Sequence, residues 1–566
     1  MGATRTVTGR GQSLRLLARV ALSLSVAAVV IFSFSCSREK PSEPRTPREV
    51  NAPEYLRDTV GELVRFSGRE YLPVQAYGFV TGLDGTGTKV VPPGIRQHML
   101  DIMRKNKVEG AEEILTSPDN AVVMAGGFLP PGIGKGEYFD LEVRAIPNTE
   151  TTSLEGGFLL ESDLTRVAMT RGVALRGEAQ ALGRGSLFVW PFAGDDKAQA
   201  TADPRAGRIL AGGKATKARQ FRLALLTPSV RTVDQIVRII NARFPGAAKG
   251  TRDAGRVDLE VPKEFQDDKT RFLDLIGSLY LRETSEARDQ RIGLLLDLLQ
   301  SGKDLDSAAR CLEAFGPTVL PRLRPLAENA SEAVRYYVGR TQADLQDPQA
   351  VHVLEPVVMD DKSDFQEQAA EALGRIRSGV GLGVLGRALN VKNARVRVAA
   401  WRAMIRLTPE TYVTHNFRDK FVLSAVATKT DPFIYVSRTL KPHVAVFGDV
   451  SVKPPVLVET RRVTATVNAG SETIRLMVRR HGVELMVESP LSVRAMIAKM
   501  AAPLGLDENN TKPKGLDLTY SDVVSVLYEM SRKQALSGPI LLQPLEYRIP
   551  GDRPVARPVT SGGDPE

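Results

Sequence analysis

Phe365 to Ile376 reads FQEQAAEALGRI, and this stretch is the middle member of a series. It overlays Val396 to Leu407, VRVAAWRAMIRL, and in the other direction Val334 to Arg340, VRYYVGR, with Phe365 falling on Val396 and on Val334 at equal steps. A looser copy, Leu305 to Gly316 with AARCLEAFG, comes before the first at a slightly shorter step. Alanine-rich seams at a period of about 30 residues let helical hairpins stack closely, each burying its face on the next. Residues 290–410 are therefore expected to form an inserted array of helical hairpins, separable from its flanks. Cys311 falls inside the first copy and reads as a small core residue, not a reactive thiol.

On both sides of the array the period changes from helical to two. Phe139 to Ala145, FDLEVRA, alternates as a half-buried strand does, and so does Val257 to Val261 before Pro262. Ala121 to Ala125, AVVMA, reads as a buried strand. Ala76 to Gly82 is β-prone and runs into Gly82-Leu83-Asp84-Gly85-Thr86-Gly87, a set of tight turns expected to need positive φ. Pro130-Pro131 followed by Gly132 to Gly136 reads as a rigid turn and then a flexible one. Two helices interrupt, Ile95 to Lys105 and one starting near Thr232 and ending at Pro245-Gly246. After Pro409 strands return at 444–447, 463–467 and 474–478, followed by amphipathic helices at 492–500 and 521–530. The fold class is α+β, with β-rich regions at 51–285 and 415–550 interrupted by the helical array, and a disordered polar tail at 551–566.

The first 36 residues read as an address. Arg5, Arg10, Arg15 and Arg19 form an acid-free basic head, and Val20 to Ser35 carries no charge before Cys36. A positive head, an apolar run and small residues before a cut make the export-signal pattern. Ser33-Phe34-Ser35-Cys36 resembles a lipobox, in which Cys36 is acylated; the alternative is an uncleaved anchor or another cleavage. Residues 37–50, with Pro41, Pro44 and Pro47 among charges of both signs, read as an extended tether.

The 566 residues exceed what one core holds, about 250–300, so several domains are expected. A hydrophobic content of 42% with 25% charged residues excludes a largely disordered chain. The net charge of +10 falls to +6 without the basic head, which argues against nucleic acid as a partner. Two cysteines exclude a disulfide framework and a cysteine-built zinc site. The histidines, His98, His352, His415, His443 and His481, have no partner at metal-ligand spacing. Gly82 to Lys89 lacks phosphate-loop spacing, and Pro92-Pro93 is expected to block a helix directly after it. No catalytic constellation is visible, so an enzyme is not expected, and neither is a cofactor or metal.

The remaining motifs resemble the bacterial flagellar P-ring protein family. Tyr77-Gly78-Phe79-Val80-Thr81-Gly82-Leu83-Asp84-Gly85-Thr86-Gly87 is similar to its YG-hydrophobic-V-x-GL-x-GTG segment. Leu129-Pro130-Pro131 resembles its LPP, and Leu154-Glu155-Gly156-Gly157-Phe158-Leu159-Leu160 its L-x-GG-x-LL. Gly207-Arg208-Ile209, Ile240 to Phe244 and Arg271-Phe272-Leu273 follow in the family's order, and Leu518 to Leu527 with Leu545-Glu546 is similar to its C-terminal end. The likeness runs over 65–282 and more weakly over 440–546. The array at 290–410, which resembles short HEAT-type repeats, interrupts it. The resemblance implies a homo-oligomeric, non-catalytic ring around the flagellar rod, in the periplasm beneath the outer-membrane ring, with peptidoglycan a further contact. Ser37 after Cys36 implies tethering to the outer membrane. The competing reading is a lipid-anchored adaptor whose helical repeats bind a protein or glycan outside motility.

Overall fold

The structure is a computed structural model and describes residues 53–544, apart from 106, 171–172, 190–202, 252–254, 412–413, 419, 481–482 and 507–512. Cys36, the tether, His481, Leu545-Glu546 and the tail lie outside the described residues.

A first strand, β1 (Val64–Ser67), precedes a six-stranded closed barrel. Its strands are β2 (Leu72–Thr81), β3 (Asn120–Leu129), β4 (Tyr138–Ala145), β5 (Phe158–Thr170), β6 (Val173–Ser186) and β7 (Ala206–Ala215), in the order β2-β3-β4-β7-β6-β5. Alternation sends Ala121, Val123 and Ala125 of β3 and Phe139, Leu141 and Val143 of β4 into one core. On β3 the opposite face is buried too. Val122, with Phe79 of β2, packs under Met99, Leu100 and Met103 of helix α1 (Pro93–Lys105), which explains the unbroken apolar run. Pro93 opens α1 instead of blocking it, because a first-turn residue needs no N–H partner inside the helix. The Gly82–Lys89 loop is still separated from α1 by Val90 to Pro92.

Past the barrel, β8 (Phe221–Leu225), β9 (Ala248–Gly250) and β10 (Arg256–Leu259) join β1 in a sheet ordered β1-β8-β10-β9. Helices α2 (Val230–Arg243), capped by Ser229, and α3 (Lys269–Ser278), capped by Asp268, cover it.

The helical stretch holds α4 (Ser285–Gln300), α5 (Leu305–Phe315), α6 (Glu332–Asp344), α7 (Ala350–Met359), α8 (Gln366–Leu373), α9 (Leu382–Ala388) and α10 (Ala394–Leu407). Successive helices pack on one another, but neither end is free. α5 packs on α3. Trp401 of α10, 1% exposed, sits among Tyr435, His443 and Phe447 of the following sheet at ring distances of 5.8, 5.0 and 5.7 Å. The expectation of a separable insert therefore meets a last helix that shares its core with the next sheet.

That sheet contains β11 (Thr414–Asn416), β12 (Val422–Val426), β13 (Phe433–Val436) and β14 (His443–Phe447), with a late strand from the C-terminal end at its edge. A second sheet follows as a meander, β15 (Val456–Glu459), β16 (Val463–Val467), β17 (Thr473–Arg480) and β18 (Val483–Pro490). Helices α11 (Val493–Ala501) and α12 (Tyr520–Arg532) fill the space between them, and β19 (Ile540–Leu542) pairs with β13.

Burial, with help from Lys441 and Arg402, pushes the His443 imidazole down to about 4, and its Nε2 lies 2.8 Å from Ser424 Oγ. The unfolded chain takes up this proton near 6.5 and the folded chain does not. Stability should therefore fall as pH drops below 6.5, by about 2 kcal/mol at pH 5. His443→Gln should remove that part of the slope in urea titrations; an unchanged slope refutes the assignment.

Candidate functional site

β2 ends in the loop that the sequence marks by its glycines. Gly82, Asp84 and Gly85 adopt φ of 78°, 46° and 82°, in the left-handed region that favours glycine. Gly87 is constrained differently. A Cβ there would overlap the Asn120 carbonyl oxygen. Leu83, fully buried, plugs this end of the barrel.

Five of the loop's N–H groups already have partners. Leu83 N donates to Asp119 O at 2.9 Å and Gly85 N to Asp119 Oδ1 at 2.8 Å. Thr86 N donates to Leu83 O at 3.1 Å, Gly87 N to Pro118 O at 2.7 Å and Thr88 N to Asn120 O at 2.9 Å. A phosphate cradle needs such donors free and converging, so their engagement agrees with the missing phosphate-loop spacing and makes the loop a hydrogen-bonded joint.

The second glycine stretch lies beside the first. Thr86 Oγ1 donates to Ser153 O at 2.9 Å, and Thr152 N to Thr86 O at 2.9 Å. Gly156 has φ of 76°, and a Cβ on Gly157 would press into Val80 and Leu83 at 2.5 and 2.8 Å.

Onto this pair of loops folds the turn between β15 and β16, from far along the sequence. Arg461 donates from Nη1 to Glu155 O at 3.0 Å, and from Nη2 to Leu83 O at 2.6 Å and Thr86 Oγ1 at 3.1 Å. Arg462 reaches Asp84 Oδ2 at 3.5 Å and Asp522 Oδ2 at 3.9 Å. Asp522 closes the capping box of α12 with Thr519. A Cβ on Gly156 would lie 2.9 Å from the Arg462 guanidinium, so glycine is what lets the arginine settle there. Burial holds the Glu155 carboxyl above its ordinary range; Arg461 and Arg462 work against that rise and Asp522 adds to it.

The structure thus unites Gly82, Asp84, Gly85 and Gly87 with Gly156 and Gly157. Gly78 sits within β2, where a Cβ would meet Leu159 at 2.7 Å, and Tyr77 packs edge-on to His98 at 6.0 Å. Pro130 and Pro131 are not part of the joint. They follow the far end of β3, where Arg219 binds the Leu129 and Pro130 carbonyls at 2.9 and 3.1 Å. Sequence reasoning missed Arg461 and Arg462; their only signal was an adjacent pair of arginines between two alternating segments. Among the described residues no cluster of three metal-ligating side chains occurs, and no helix is long and apolar enough to cross a membrane. Arg461→Ala should cost about 1 kcal/mol, since Leu83 O keeps its bonds from Thr86 and only the charged donors are lost. A loss below about 0.5 kcal/mol in urea melts would show the clamp to be incidental.

Residues 59–292 match the family model described as flagellar P-ring protein. Flagellar P-ring protein 1 of Chromobacterium violaceum is 29% identical over 213 residues, 36% of this chain and 55% of that protein. The flagellar P-ring protein of Ruegeria pomeroyi is 27% identical over 252 residues, 42% of this chain and 65% of its own. That of Thermotoga maritima is 25% identical over 295 residues, 49% and 78% respectively. The chain thus spans little more than half of the first of these relatives and just under two thirds of the second.

Proposed function

We propose that this chain is a structural, non-catalytic subunit of the flagellar P-ring type, many copies of which form a ring around the rod beneath the outer-membrane ring. The likeness of residues 59–292 to flagellar P-ring proteins supports this reading. The observation that carries it is the clamped double loop. The motif residues shared with that family serve as a joint whose donors are engaged by backbone carbonyls and the Asp119 carboxylate, which suits a part under mechanical load better than a catalyst. On this reading Cys36 carries the acyl chains that hold the ring subunit to the outer membrane from the periplasmic side. The helical stretch is a HEAT-like addition for a further partner, and peptidoglycan surrounds the ring.

Electron microscopy of rod-bearing envelope fractions tests the ring. A strain lacking the chain should show rods without the collar, and the complemented strain should regain it. Collars that persist in the deletion strain would sink the proposal and favour the adaptor reading. Cys36→Ser should leave the protein in the aqueous phase of a detergent partition; unchanged partitioning would place the anchor in the apolar run instead.

A further inference from the structure

The helical stretch carries a register that its sequence repeat hides. Glu313, Asp344, Arg375 and Arg406 follow one another at equal steps in the sequence, and all four line one cleft of about 1180 Å³. Near the first two rungs the charges are matched internally. Arg271 of α3 pairs with Glu313 and, at 3.2 Å, with Asp344, while Arg375 Nε binds Asp344 Oδ1 at 2.5 Å.

The other end is different. Arg377 and Arg406 line the same cleft, both exposed, and neither guanidinium has an ion pair or hydrogen bond among the described residues. The end of α8 packs tightly against α10, where a Cβ on Gly374 would lie 2.5 Å from Ala403 Cβ. Glu371, the carboxylate on this wall, already has an interaction of its own. Of the remaining acids in the cleft, Glu137 is paired with Lys269 at 2.6 Å, and Glu264, Asp267 and the capping Asp268 belong to the turn before α3.

We propose that the Arg377–Arg406 end of the cleft binds an extended acidic segment of a partner protein. Arg377 stands in the turn after α8 and Arg406 on α10, two helices that pack on one another, and packed helices lie about 8–10 Å apart. In a polyproline II segment, with about three residues per turn and a rise of about 3.1 Å, acids three positions apart share a face about 9 Å apart. Guanidinium groups pair with carboxylates in a two-pronged geometry. A glycan is the weaker fit because the wall from Glu371 to Leu407 offers no aromatic ring to the cleft. The ring of Tyr138, on the barrel side, already lies 5.7 Å from Lys214 Nζ.

A fluorescent peptide of four Glu-Pro-Pro repeats, titrated with the full chain in detergent and followed by anisotropy, tests this. Binding should saturate, weaken about tenfold or more when salt is raised from about 50 to about 300 mM, and be absent for the Lys-Pro-Pro analogue. Arg377→Glu with Arg406→Glu should abolish it while the melting temperature holds. Arg377→Gln with Arg406→Gln should weaken it without reversing charge. Absence of saturable binding, undiminished binding by both double variants, or displacement of the peptide by neutral glycan fragments would overturn the proposal. The inference does not rest on the ring reading, because collar assembly and peptide binding are scored separately.

Discussion

Gly87→Ala should destabilise the protein by about 3–4 kcal/mol, although alanine is the smallest possible addition. The new Cβ would overlap Asn120 O and lie 2.6 Å from Pro118 O, and both are backbone atoms of the segment that leads into the barrel. No rotamer change relieves such a contact. The loop must withdraw, and the hydrogen bonds from Gly87 N and Thr88 N go with it. Gly85→Ala is the control. Its Cβ would enter open space, so only the positive φ is penalised, by about 1–2 kcal/mol. Urea denaturation of the two variants should separate them clearly; equal losses would mean that the loop shifts freely and is no joint.

The second large effect is expected at Asp344. Its side chain is 2% exposed and lies against Arg271 and Arg375. Asp344→Ala leaves two guanidinium groups without their shared carboxylate, for a loss of about 3–5 kcal/mol. The same residue sets a pH dependence. Burial, and then repulsion from Asp344, push the Glu313 carboxyl up to about 7, against the pull of Arg271, Arg375 and Arg340; the Arg243 guanidinium also reaches the Glu313 carbonyl. A carboxyl whose folded value exceeds the unfolded one stabilises the fold at low pH. That contribution is complete below about 4.5 and is lost as pH rises to about 7. His443 has the opposite slope over much of the same window, so the wild-type profile is a difference of two. In Asp344→Asn the Glu313 midpoint should fall. Urea titrations from pH 4.5 to 8 on a His443→Gln background would expose it, and a midpoint that stays near 7 would assign the shift to burial alone.

Periodicity made much of the fold readable. The alternation of Phe139 to Ala145 marked β4, and Val233, Ile236 and Ile240 marked the buried face of α2. β13 was not identified, although Phe433 to Val436 is a buried apolar run like that of β14. Barrel closure was invisible as well. It depends on β5 pairing with β2, which no local pattern encodes. The helices between 305 and 407 were readable from alanine spacing, whereas the contact of Trp401 with Phe447 was not, since an aromatic on a helix does not say what it faces. At the candidate site the glycines were found because backbone strain leaves a compositional trace. Arg461 and Arg462 were not, because a surface arginine and a clamping arginine look the same in sequence.

Beyond chain connectivity, several ties join the barrel to the C-terminal sheets. Arg461 and Arg462 hold the glycine loops. Asp140, within β4, accepts from Leu440 N at 2.8 Å. Phe188 lies 5.4 Å from the ring of Tyr520. Residues far apart in sequence meet at each of these places. A single tie would leave a pivot, and each further tie at a separate place removes a freedom of relative rotation. Torque applied to one part is thereby passed to the other through several contacts in parallel, and no one hinge carries the whole twist.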